Sequence, residues 1–212
     1  MTLKDVSVRD VLRGETRESH ENLHHHSSFV ALFDGTLDLD DYRLLAQRLH
    51  GFYAPLDAAI QRVIAETLTE TACYDHVSRS DFLAQDLRDL GFSDQQINDT
   101  PQCPNLSEIV TTTSLGGVLY VIEGATLGGA QIDRAAAKLL THDQPDGRRY
   151  WAWCRSHGKQ RWSAMIRYLE TKPAHGDVLD QLTAGALDTF QAFAEWLQPL
   201  DRTGLTREAG RS

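Results

Sequence analysis

The sequence predicts an all-α fold built as a single domain. Apolar residues recur at helical spacing almost everywhere, and the alternating runs of Val, Ile and Thr that would mark strands are missing. The periodic stretches are separated by short turn-forming segments such as "TPQCPN" at 100–105. A first helix is expected over about 8–25, opened by Ser7 with Asp10 as a variant of the capping box. "LDLDDYRLLAQRLHGFYAPLDAAIQRVIAE" reads as a long helix from near Asp38, with Pro55 expected to kink or split it. "SRSDFLAQDLRDLG" is a shorter helix with Leu83, Leu87 and Leu90 on one side and Gly91 as its stop. Further helices are expected over 114–141 and about 146–170. "GDVLDQLTAGALDTFQAFAEWLQPL" is strongly amphipathic, its stripe marked by Leu179, Leu182, Ala186, Phe190, Phe193 and Leu197. The sum is seven to eight helices in a domain spanning 1–200. Residues 201–212 form a polar segment expected to be a flexible tail.

Composition narrows the function classes. No apolar run approaches the roughly 20 residues of a membrane helix, and "MTLKDVSVRD" lacks the apolar core of a secretory signal. Cys73, Cys103 and Cys154 are few and far apart, which suits a reducing cytoplasm. A net charge of −9 repels phosphate backbones, so no nucleic-acid partner is expected. The charge is uneven. Residues 148–172 hold seven of the 21 Lys and Arg and a single acid, Glu170. Either this is a solvated helix face or it is a counter-charge for a small anionic ligand.

"LRGETRESHENLHHHSSF" carries four of the nine histidines. On a helical wheel Val8, Leu12, Thr16, Ser19 and Leu23 form a narrow, mostly apolar face with His20 at its edge. Arg13, seven residues earlier, points within about 20° of His20 and lies about 10 Å away along the axis. An imidazole and a guanidinium so placed suit a metal centre and a carboxylate two turns apart, although a lone histidine at a helix edge is also a common surface residue. Of His24, His25 and His26, adjacent members point about 100° apart and cannot converge on one ion. His20 and His24, at i and i+4, can. No ExxH partner elsewhere completes a metal site, and a solvated helix end accounts better for the triplet.

"TSLGGVLYVIEGATLGGAQIDRAAAKLL" has helical spacing yet five glycines, each costing up to about 1 kcal/mol against Ala. Gly117, Gly124 and Gly128 fall on one side. Bare backbone there admits a flat ligand or a closely packed helix, and both readings stay open. A dinucleotide loop is excluded, because no strand and no GxGxxG precede the helix. Glu123 excludes a membrane GxxxG helix.

Together these stretches resemble haem oxygenases, most closely the bacterial branch, over residues 8–198. "LRGETRESHENL" is similar to the proximal helix of that family, "LDLDDYRLLAQRLHGFYAPLD" to its second block, and "YVIEGATLGGAQ" to its glycine-rich distal helix. The resemblance implies haem, sandwiched between proximal and distal helices, as both substrate and cofactor. It implies His20 as the iron ligand and Arg13, Gly129, and Lys159 or Arg161 as further haem contacts. It places Gly124, Ala125, Gly128 and Tyr53 on the oxygen side. Ala125 stands where many members carry Asp and bacterial relatives often carry Ser, so ordered waters there must rest on Tyr53, backbone or another group. The implied reaction consumes O2 and electrons from a separate reductase or ferredoxin, and yields biliverdin, CO and Fe2+. Biliverdin in turn suits a photoreceptor of the phytochrome type. The competing expectations are a haem carrier on the same fold without catalysis, and a helical interaction module with no ligand.

Overall fold

The computed structural model describes residues 7–66 and 74–201, so Cys73 and nearly all of the expected tail lie outside the described residues. Among the described residues eleven α-helices follow one another: α1 (Val8–Glu15), α2 (Arg17–His24), α3 (Ser27–Asp34), α4 (Leu39–Glu66), α5 (Ser80–Asp89), α6 (Asp94–Asn98), α7 (Leu106–Ile109), α8 (Leu115–Thr126), α9 (Gly129–Leu140), α10 (Arg149–Leu169) and α11 (Gly176–Leu197). Among the described residues there is no strand, and no helix is long and apolar enough to cross a membrane.

The count exceeds seven to eight for two reasons. Two expected helices are interrupted, and three short ones stand in stretches for which no helix was expected. The first helix breaks at Thr16 (φ −95°, ψ 0°), whose hydroxyl donates to the Leu12 carbonyl at 2.7 Å. The glycine-rich helix breaks at Leu127 and Gly128, between α8 and α9. The short helix α3 is capped by the His26 side chain and stopped by Gly35 in the left-handed region. A reciprocal capping box of Ser93 and Gln96 starts α6.

Pro55 does not split α4. Proline has no N–H, so the Gly51 carbonyl one turn earlier loses its helical donor. The backbone N–H of Cys103 donates to that carbonyl at 2.9 Å instead. A Cβ at Gly51 would overlap the Pro101 carbonyl oxygen, so Gly51 and Pro55 together make the seat for the 101–103 loop.

The helix α8 is the centre of the bundle. Ten of its twelve residues are buried, and it packs along both α10 and α11. The flanks are α9 against α10, α5 against α4 and α10, and α1 against α11. Asp86 of α5 accepts hydrogen bonds from the first-turn N–H groups of Arg149 (2.5 Å) and Tyr150 (3.1 Å), which ties α5 to the start of α10.

Candidate functional site

The histidine-rich stretch divides three ways. His26 is buried. Its Nδ1 accepts from the Ser28 N–H at 3.3 Å, which leaves the proton on Nε2, 3.2 Å from the Leu197 carbonyl. His26 is therefore a fastener between the start of α3 and the end of α11. His25 forms the exposed C-cap of α2. His20 and His24 face one another on α2 with ring centroids 4.5 Å apart, and both are exposed. The His20 ring also meets the edge of Phe190 from α11 at 6.4 Å. Partial burial, and then the neighbouring His24, push the His20 pKa below its ordinary value, and Glu21 only partly opposes them. His20 is thus neutral at physiological pH and able to donate a lone pair to a metal.

The helix α8 meets this region through Tyr120, whose hydroxyl interacts with the Thr16 side chain at the start of α2. His20 lies one turn beyond Thr16 on α2, and Gly124 lies one turn beyond Tyr120 on α8. The Tyr120 ring leans on Trp162 of α10 at 5.4 Å, and Trp162 stands beside Gly124. Ala125, Leu127 and Gly128 are all exposed at this end.

The five glycines serve two purposes. A Cβ at Gly116 or Gly117 would run into Leu182 of α11, and one at Gly129 would run into Cys154 of α10. These three permit close helix packing, and the room Gly129 leaves is already filled. Gly124 and Gly128 differ. An added Cβ would come no nearer than 3.4 Å to the Trp162 ring at Gly124 and 3.7 Å to the Ala125 carbonyl oxygen at Gly128, which is ordinary contact, so neither glycine is required by close helix packing.

The other expected site residues fall as follows. Arg13 is exposed on α1, near enough to Tyr120 to favour its ionised form. Lys159 is exposed on α10, one turn before Trp162 and on the same side. The helices that carry Arg13 and Lys159, α1 and α10, touch one another. Arg161 turns inward. It donates to Glu123 (2.9 Å), to the Tyr74 hydroxyl (2.9 Å) and to the Asp75 carbonyl (2.6 Å). Tyr53 is buried, its hydroxyl accepts from Tyr150 at 3.1 Å, and burial pushes its pKa up to about 12. Ala125 offers no polar atom beyond its backbone.

Residues that the sequence did not single out complete the site: Tyr120, Trp162, Phe190 and the ion-paired backing of α8. Glu123 is fully buried. It is held by Arg79 at 2.5 Å, by Arg161, and by the Tyr74 hydroxyl at 2.7 Å. Burial alone would raise the Glu123 pKa, but the Arg79 charge and the Arg161 and Tyr74 hydrogen bonds outweigh it and hold the carboxyl below its usual value. Arg79 continues to His76 (3.1 Å), and His76 to Asp57 (2.9 Å). Tyr120 is the one with a sequence signal, because it precedes Gly124 by one turn. Among the described residues no group of three His, Cys, Asp or Glu could hold a metal ion.

Comparison with known proteins gives a consistent result. A family model described as heme oxygenase matches residues 7–199. The fold resembles heme oxygenase-1 of Synechocystis sp. PCC 6803, solved in complex with heme, with TM-score 0.73, 16% identity and 92% of each chain covered. It resembles heme oxygenase-2 of the same cyanobacterium, solved with heme and NO, with TM-score 0.76, 17% identity, and 92% of this chain and 85% of that one covered. A Shewanella denitrificans domain of unknown function with a heme oxygenase-like fold gives TM-score 0.74 at 11% identity, over 93% of each chain. At these identities the likeness is one of fold. A search of curated proteins finds no match in sequence.

Proposed function

The chain belongs to the haem oxygenase family, and from that premise we propose that it cleaves haem to biliverdin, CO and Fe2+ in a reaction that consumes O2 and external electrons. One observation carries the reading: of the five glycines in the α8–α9 stretch, only Gly124 and Gly128 could carry a Cβ without a clash, and Gly124 lies one turn from Tyr120, whose hydroxyl meets the Thr16 side chain one turn before His20.

The residues present fit haem. His20 would hold the iron through a neutral imidazole, with Phe190 against the ring to limit its rotation. Arg13 and Lys159 would take the two propionates, as planar and point-charge partners for carboxylates. Bound haem supplies the iron at which O2 is activated and the ring that is oxidised. Gly124 and Gly128 keep side chains out of the oxygen side, so that only backbone groups and water border it. Leu127, 46% exposed, is an apolar lip that a porphyrin would cover. Electrons come from a separate reductase or ferredoxin. The setting is cytoplasmic, and a phytochrome-type photoreceptor is the partner that biliverdin suits.

The test is an absorption titration with hemin followed by ascorbate or a reductase in air, on wild type and His20→Ala. A 1:1 Soret band that decays to a biliverdin spectrum in wild type alone is expected. One observation favours a second reading, a non-catalytic haem carrier. Ala125 brings no hydrogen bond to the oxygen side, and the Tyr53 hydroxyl is already engaged by Tyr150. A Soret band that persists under reductant and air would select the carrier, and absence of any Soret band would remove both readings.

A further inference from the structure

His24 has no place in the haem chemistry above, yet its ring meets that of His20 directly. Both side chains are exposed, and among the described residues neither imidazole has a hydrogen-bond or ion-pair partner. The spacing of the two rings is informative. With a metal–nitrogen bond of about 2.0 Å and a ring centroid about 1.1 Å behind the nitrogen, two imidazoles on one ion have centroids about 4.4 Å apart at right angles and about 5.1 Å apart at the tetrahedral angle. The two rings stand 4.5 Å apart, edge to face, at the i and i+4 spacing from which two histidines can reach one ion, and two imidazoles completed by water suit a square-planar or tetragonal ion.

We propose that the haem-free protein binds a divalent transition-metal ion of the Cu2+ type between His20 and His24. The ion and haem would then exclude one another, because they share His20. The site has two protein ligands and no more. Glu21, the nearest acid in sequence, is turned to Arg17 at 4.0 Å, and no third ligand stands in reach among the described residues. Water fills the remaining positions, so binding is reversible and follows the order in which Cu2+ stands above Zn2+ and far above Fe2+. Ferrous iron released by the proposed reaction therefore competes poorly for the pair, while Cu2+ acts as a brake on haem loading.

The metal site stands on the two histidines alone; only its competition with haem rests on the proposed function. The experiment is a Cu2+ titration of haem-free wild type, His24→Ala and His20→Ala, read by calorimetry and by electron paramagnetic resonance. Both substitutions are at exposed positions, and circular dichroism checks that each variant folds. Wild type is expected to bind one Cu2+ with a two-nitrogen hyperfine pattern. Each variant should lose that pattern and bind on the order of tenfold more weakly or worse, as when an intramolecular second ligand is removed. Hemin should displace Cu2+ from wild type. Wild-type Cu2+ affinity in His24→Ala would overturn the proposal. If Cu2+ binding needs both histidines but hemin and Cu2+ bind together, the metal site is upheld and His20 fails as the haem ligand. If no variant binds hemin while the pair binds Cu2+, the metal site is upheld and the haem reading fails.

Discussion

Adding one methyl group to the α8–α9 stretch should have opposite consequences at two positions that read alike in the sequence. At Gly128 the backbone is helical (φ −73°, ψ −16°), and a Cβ would meet nothing closer than the Ala125 carbonyl oxygen at 3.7 Å. Gly128→Ala should therefore stabilise the haem-free protein by about 0.4–1 kcal/mol, through the lower entropy of its unfolded chain. That raises Tm by roughly 1–4 °C for a chain of this size. At Gly117 the Cβ would overlap the Leu182 carbonyl oxygen and lie 2.8 Å from the Ala186 nitrogen. These are backbone atoms of α11, which cannot rotate away, so α8 and α11 must move apart. The cost is about 3 kcal/mol or more, the upper end of overpacking penalties. The two variants should thus differ by about 3–4 kcal/mol in urea denaturation of the haem-free protein. Hemin titration should reverse the order of damage at Gly128. Where haem approaches bare backbone, a methyl group costs about 1–3 kcal/mol of fit, or roughly tenfold or more in Kd. If Gly128→Ala binds hemin as tightly as wild type, or destabilises the haem-free protein as Gly117→Ala does, the division of the glycines is refuted.

Three further outcomes follow from the same structure. Glu123→Gln should destabilise the protein by about 3–5 kcal/mol at neutral pH, because Arg79 then stays buried without its counter-charge. The folded-state pKa of Glu123 lies below its unfolded value, so its contribution is present above that value and is lost as pH falls through the folded pKa; urea melts from pH 7 down to pH 3 should show a shallower acid limb for the variant than for wild type. His26→Ala removes both the cap on α3 and the link to Leu197, and should cost about 1–3 kcal/mol in thermal denaturation while leaving hemin affinity unchanged. Gly51→Ala should be severe, above about 3 kcal/mol, because its Cβ meets the Pro101 backbone rather than a side chain that can yield; a mild effect would mean that the 101–103 loop is not seated as described.

The all-helical class, the order of the long helices and the glycine-rich stretch were legible because they rest on periodicity and composition, which are local. What escaped the sequence was settled by distant groups. Nothing next to Pro55 reveals that Cys103 will supply the missing donor and keep α4 whole. The break at Thr16 has no glycine or proline at the residue itself, and it coincides with the contact to Tyr120 more than a hundred residues away. Ser93 and Gln96 did carry a helix-start signal, which marks α6 in the chain. Arg79 and Glu123 are charged residues that a pattern assigns to the surface, and only their mutual neutralisation allows both to be buried. His20 and Arg13 were singled out by spacing, and both are exposed on their helices, while Arg161 and Lys159 could not be separated until α10 showed which one turns toward Glu123.

The pairing of Glu123 with Gly124 explains how a helix can be bare on one side and still hold its position. Successive residues on a helix point about 100° apart, so the residue beside a glycine that faces the site must face another direction. In α8 that residue is an acid clamped from α10, from the residue preceding α5, and from Tyr74. Close packing of Gly116 and Gly117 on α11 fixes the other end of the same helix. A helix without side chains toward a ligand gains no rigidity from that ligand's absence or presence, so its position has to be set from behind. Burying Glu123 and Arg79 is costly unless both are paired, and the same requirement makes the pair sensitive to small displacements of α8. The glycines of α8 and the ion pair behind it are thus parts of one arrangement, and loosening Arg79 should shift α8 before it unfolds the bundle.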